Sequence, residues 1–206
     1  MKTLSEEGKD KELLDIVKRM ASIAEYNEPD SIYHRERVKG YCYVLARGMG
    51  LPAQEADVFA YASLLHDIGK VGIPEAIIFK SSDLLPKEWE LVKQHPVIGA
   101  EILKGSSSTL LQMGEIIALT HHERWNGSGY PRGLKGEDIP LIGRIFAVAD
   151  VFDALTTKRP YKPEITIDDA TTLLKESAGI LFDPKVIAVF LESSNEIIKM
   201  YKQSLV

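Results

Sequence analysis

Residues 64–75 read LLHDIGKVGIPE, and the step from Leu65 to His66-Asp67 decides how the chain is read. An apolar helical pattern over about 53–68 ends on an imidazole and a carboxylate side by side. An uncompensated carboxylate there would be costly to bury, and a metal ion is the natural compensation. Upstream, residues 9–26 place Leu13, Leu14, Ile16, Val17 and Met20 at amphipathic-helix spacing. A second helix starts near Asp30 or Ser31, where good capping residues follow Pro29, and runs to the Gly48–Pro52 break. Downstream, helical patterns cover about 87–104, 109–122, 140–157, 166–178 and 184–203. Strand signals are weak, because β-branched runs are short and alternation is never sustained between hairpin-type turns. The expectation is an all-α fold of about seven or eight helices in a single compact domain. One long loop interrupts it, HERWNGSGYPRGLKGEDIP from His122 to Pro140. Loops of that length in compact domains are usually functional or disordered.

Composition narrows the function. The 206 residues, 45% hydrophobic, suffice for one sizeable core. No apolar run approaches the roughly 20 residues of a membrane span, and the polar start MKTLSEEGKDKE lacks a signal-peptide core, so a cytoplasmic protein without membrane contact is expected. The only cysteine, Cys42, has apolar neighbours and reads as a small core residue. A net charge of −5 argues against a nucleic-acid polymer, which needs a broad basic surface. A small anionic substrate stays open, since metal ions supply local positive charge.

The five histidines, at 34, 66, 95, 121 and 122, all lie in or beside polar, punctuated segments. Alone, His34 or His95 would read as structural or exposed. His121-His122 is different: adjacent imidazoles near a helix end project about 100° apart and can grip one ion from two directions. Asp150, inside the apolar stretch IFAVADVFDAL, is a further anomaly. It either joins a metal site or pairs with Arg144 or Arg159.

Taken together, LLHDIGKVGIPE, HHERWNGSGYP and RIFAVADVFDALTTKRPYK, with His34 and His95 between and before them, resemble the HD-GYP phosphodiesterases over residues 30 to about 165. The resemblance implies a domain over 30–206, preceded by a helical extension over 1–29. It implies that His34, His66, Asp67 and Asp150 hold one metal, that His95, His121 and His122 hold a second, and that Asp67 bridges them. A carboxylate suits that role because it has two oxygens, whereas a neutral imidazole offers one lone pair. Some members bind a third ion through a Glu four residues before the first His; here that position is Asp30, which reads equally as a helix N-cap. Thiolate-free imidazole and carboxylate ligands suit iron or manganese and are compatible with zinc or nickel. The resemblance leans toward two or three Fe or Mn ions.

By the same resemblance, the substrate is cyclic di-GMP, cleaved to pGpG or GMP by a metal-bridging hydroxide, with Lys70 reaching the scissile phosphate or the nucleophile. Gly129, Tyr130 and Pro131 would border the nucleotide pocket, Asp153 would contact substrate or support a ligand, and Arg159 and Lys162 would meet the phosphates. Glu123 is expected to orient a ligand histidine through its other ring nitrogen. The competing readings are a mixed cyclic dinucleotide as substrate, a nucleotide hydrolase using only the four-ligand H, HD, D set, and a sensor that binds without cleaving. A homodimer through the apolar stripe of 9–26, or a sensory partner domain, is the expected kind of assembly.

Overall fold

The computed structural model describes residues 6–26, 31–80, 82–157 and 164–204. It is all-α. The helices are α1 (Glu6–Ala24), α2 (Ser31–Gly48), α3 (Ala53–Ala62), α4 (Glu75–Ile78), α5 (Pro86–Val92), α6 (His95–Leu103), α7 (Thr109–Thr120), α8 (Leu141–Thr156), α9 (Ile167–Glu176), α10 (Pro184–Glu192) and α11 (Ser194–Gln203). Short 3-10 turns at Ser63–Leu65 and Ile68–Gly72 flank His66-Asp67. Among the described residues the only β pairing is two isolated bridges, Asn126 with Lys135 and Ala178 with Phe182.

Among the described residues there are eleven α-helices against the eight expected patterns, the difference being one short addition, α4, and two splits. The 87–104 pattern breaks ahead of α6 because Pro96 has no N–H to give the carbonyl of Val92 and its ring crowds that oxygen. The 184–203 pattern breaks at Ser193, where the Ser194 hydroxyl donates to Leu191 O at 2.8 Å and competes with the helix ladder. The 53–68 pattern likewise ends its α-helix at Ala62 and tightens into the 3-10 turn that carries His66.

Helix α2 packs against α3, α8 and α11, and α6 lies against α7 and the 68–72 turn. The core between them is filled by fully buried Tyr41, Leu45, Phe59, Leu65, Ile117, Phe146, Phe152 and Phe190. Cys42 is buried within it. Gly69 permits the closest approach: a Cβ there would lie 1.9 Å from the His95 carbonyl oxygen and 2.5 Å from Gly99 N. Only glycine lets the turn carrying Asp67 press onto the start of α6. That contact sets His95 beside Asp67.

Candidate metal centre

The 66–70 turn, α6 and the end of α7 bring side chains onto Asp67. Its Oδ1 lies 3.3 Å from His95 Nε2 and 3.6 Å from His121 Nε2. Its Oδ2 lies 3.2 Å from His66 Nε2 and 2.7 Å from Lys70 Nζ. One oxygen of this carboxylate thus faces His95 and His121, and the other faces His66 and the Lys70 ammonium. Nε2 of His95 and Nε2 of His121 are 3.1 Å apart, and the donor atoms of His95, His121 and His122 fall within 4.8 Å of one another. A second set within the same reach is Glu25, His34 and His66. Asp150 Oδ1 stands 3.8 Å from His34 Nε2.

The rings are aimed from behind. His66 Nδ1 donates to Ser63 O at 3.0 Å, His95 Nδ1 to Val92 O at 2.7 Å and His121 Nδ1 to Ala118 O at 2.9 Å. Each such bond places a proton on Nδ1 and turns the Nε2 face to the centre. The Val92 carbonyl is available because Pro96 cannot donate to it, so the residue that breaks the helix also orients the ligand beside it. His34 Nδ1 donates to Asp153 Oδ2 at 2.8 Å. Asp153 is in turn gripped by Arg37 through Nε to Oδ1 at 2.6 Å and Nη2 to Oδ2 at 3.0 Å. Phe146 floors the site, 4.8 Å from the His66 ring and 5.9 Å from that of His121.

These groups suit a cation. Burial pushes His95 down to about 4, leaving it a neutral donor near pH 7. Burial would also lower His66, but Asp67, Glu25 and Asp150 outweigh it and push that ring up to about 9. The carboxylate side of the site therefore draws positive charge to itself even against desolvation. Asp67 is held well below the usual carboxylate range, Lys70 and His66 overcoming its burial. Imidazoles and carboxylates without thiolates are the donor set of a borderline or hard divalent ion.

The 122–140 loop is tied down along its length. Trp125 N and Asn126 N donate to Leu181 O and Ile180 O, and Tyr130 N donates to His122 O at 3.2 Å. The buried Glu123 carboxylate accepts from Arg132 N at 2.8 Å and Leu134 N at 2.9 Å. Gly129 lies flat on this backbone, since a Cβ would come within 2.5 Å of Arg124 N, the Glu123 Cα and His122 O. The Tyr130–Pro131 peptide is cis. The Tyr130 ring stacks on His122, with centroids 4.6 Å apart, and meets Trp89 edge-on at 6.3 Å.

The family model described as HD domain matches residues 18–186. The chain belongs to the HD-domain family. It is 42% identical over 191 residues to a cyclic di-GMP phosphodiesterase of Thermotoga maritima, covering 93% of this chain and 52% of that protein. It is 44% identical over 184 residues to a 3′3′-cGAMP-specific phosphodiesterase of Vibrio cholerae, covering 89% and 35%. Over 177 residues it is 43% identical to a cyclic di-GMP phosphodiesterase response regulator of Xanthomonas campestris, covering 86% and 47%. The chain thus spans about half or less of the length of these relatives. A solved cyclic GMP-AMP phosphodiesterase of V. cholerae superposes with a TM-score of 0.67 at 22% identity, covering 94% of this chain and 51% of that one, a likeness of fold. The HD-GYP resemblance read from the motifs accords with these matches, as does the helical architecture.

Within this HD domain, His34, His66, Asp67, His95, His121, His122 and Asp150 come together, with Lys70 and Tyr130 beside them. Asp30, Arg159 and Lys162 lie outside the described residues. Arg144, one alternative partner for Asp150, instead pairs with Asp183 at 2.6 Å. One role needs correction, and one of two alternatives is selected. Glu123 orients no histidine, because its carboxylate holds the loop backbone. Asp153 is 1% exposed, with both oxygens engaged, so it supports His34 from behind and does not face a substrate. Replacing it by Asn should therefore act on metal: an outer partner of this kind costs about 10–100-fold in metal affinity. Titration of the metal-free variant checks this, with melting measured alongside.

Glu25 was not legible from its offset to His34. It is 2% exposed at the end of α1, with Oε2 accepting from Arg35 at 2.8 Å and Oε1 3.8 Å from His66 Nε2. Burial and the nearby Asp67 raise its pKa. A signal did exist: Val17, Ala21 and Glu25 are spaced by four and all buried, so Glu25 ends an apolar stripe, the same anomaly that flagged Asp150. A boundary at 29/30 passes through this donor set, since α1 packs on the turns that carry His66-Asp67. No helix among the described residues is long and apolar enough to cross a membrane.

Proposed function

We propose that this HD domain is a metal-dependent phosphodiesterase that hydrolyses cyclic di-GMP. The observation that carries the reading is Asp67, whose two oxygens face separate imidazole groups, as a carboxylate shared by two cations would. His34, His66 and Asp150 would hold one ion with Asp67, and His95, His121 and His122 the other. Iron or manganese fits this donor set best. Glu25, with His34 and His66, forms a donor set that a third ion would use.

Bound cations would lower the pKa of a water and neutralise charge on the phosphodiester. The chain's own side chains do the rest. Lys70, fixed on Asp67 Oδ2, puts its ammonium at the edge of the centre, where it stabilises charge building on a phosphate oxygen. Tyr130, stacked on His122, forms a wall against which a nucleotide is held. Arg159 and Lys162, shortly after α8, supply the phosphate contacts that a net-negative protein otherwise lacks. Final product, pGpG or GMP, follows from whether the linear dinucleotide is released.

The test is purification without oxygen, metal analysis, and chromatography of products from cyclic di-GMP. We expect at least two transition-metal ions per chain, and turnover that chelation abolishes and the metal restores. Full activity after exhaustive chelation would exclude the mechanism. A mixed cyclic dinucleotide is the second reading, favoured by the 44% identity to a relative named for 3′3′-cGAMP, and turnover of that compound with none of cyclic di-GMP in the same assay would select it.

A further inference from the structure

A cavity of about 360 Å³ opens on the α8–α9 side of the metal centre, reached past Asp150 and His122. Its walls are Val151 and Leu155 of α8, Leu173 of α9 and Leu181 from the turn before α10. The volume lies at the low end of small-ligand cavities, which span about 300–1,000 Å³ and combine apolar walls with a few polar groups. Apart from His121, His122, Glu123 and Asp150 on the side of the metal centre, the polar side chains of this lining are Arg124 and Ser177. Arg124 is exposed at the rim of this cavity, and among the described residues neither its guanidinium nor the Ser177 hydroxyl is engaged in an ion pair, which leaves both open to a ligand. Arg124 sits three residues past His121 and follows Glu123, whose carboxylate holds the loop backbone at Arg132 and Leu134.

Resting on the phosphodiesterase reading, we infer that this cavity receives one nucleobase of the substrate, and that Arg124 selects guanine over adenine there. A flat, largely apolar base suits the leucine and valine walls, and its neighbouring phosphate then falls toward Asp150 and the metal centre. Guanidinium is a donor-only fork that matches the O6 and N7 acceptors of guanine, whereas adenine presents an amino donor in place of O6. The cavity is too small to take a whole cyclic dinucleotide, so one guanine satisfies it. The two substrates that each carry a guanine, cyclic di-GMP and cGAMP, should therefore be handled alike, and the compound with two adenines poorly.

The test uses metal-loaded wild type, Arg124→Ala, Arg124→Lys and Leu173→Trp, the last filling the cavity from a position that is 45% exposed and tolerates the bulk. Steady-state kinetics on the three cyclic dinucleotides is paired with calorimetric binding of GMP and AMP, and metal content is measured throughout. Arg124→Ala should raise KM for both guanine-containing substrates about ten- to hundredfold, the value of one bidentate base contact, with kcat little changed. The preference for GMP over AMP should collapse with it, and Arg124→Lys should restore only part. Leu173→Trp should weaken all three substrates. An active wild type whose KM values and GMP preference survive both Arg124→Ala and Leu173→Trp would overturn the base pocket and leave the phosphodiesterase reading intact. A metal-loaded wild type inert toward every cyclic dinucleotide, yet holding GMP over AMP through Arg124, would uphold the pocket and overturn the substrate.

Discussion

Asp67→Ala is expected to purify with a small fraction of the wild-type metal and without measurable phosphodiesterase activity. Four groups depend on this one carboxylate, because His66, His95, His121 and Lys70 all lie within 3.6 Å of its oxygens. Removing it subtracts the carboxylate that faces both imidazole sets and leaves four positively charged or donor groups without it. Loss of an outer partner already costs about 10–100-fold in metal affinity, so loss of a shared inner ligand should exceed 100-fold. Asp67→Asn keeps the shape but loses the charge, and should retain the fold while losing most metal. Metal analysis of both variants checks the point, with turnover measured in parallel. Wild-type metal content in Asp67→Ala would remove this residue from the centre and undo the proposed division of ligands.

The second large effect belongs to Glu25. Glu25→Ala strands Arg35, which is 6% exposed and has its Nη1 on the Glu25 carboxylate. Breaking a buried pair from one side costs about 3–5 kcal/mol, or about 6–20 °C in melting temperature for a domain of this size. Glu25→Gln keeps an acceptor for Arg35 and should lose far less stability. Its effect should show instead in metal stoichiometry, which should fall by one ion if Glu25 serves a third site, while Asp30→Ala leaves the count unchanged. Thermal melts with metal analysis of all three variants decide it. Unchanged stoichiometry in Glu25→Gln, with loss in Asp30→Ala, would return the third site to Asp30.

What the chain declares locally was legible. Helical spacing marked the elements, and charged or imidazole groups inside apolar runs marked His66-Asp67, His121-His122 and Asp150, because desolvation makes such residues costly unless something compensates them. Motif order supplied the family. Three things depended on tertiary structure. Glu25 reaches the site from a separate helix, so no fixed offset from His34 predicts it. Asp153 and Glu123 are carboxylates whose partners, Arg37 and the backbone of 132–134, are brought to them only by folding, and their sequence neighbourhoods look the same whether they face a ligand or the protein. The split at Pro96 was visible as a proline, but its consequence was not. That the freed Val92 carbonyl would take the His95 proton, and so aim the other nitrogen at Asp67, follows from where Gly69 lets two backbones touch. Periodicity records which face of an element is buried; it carries no record of which buried face meets which.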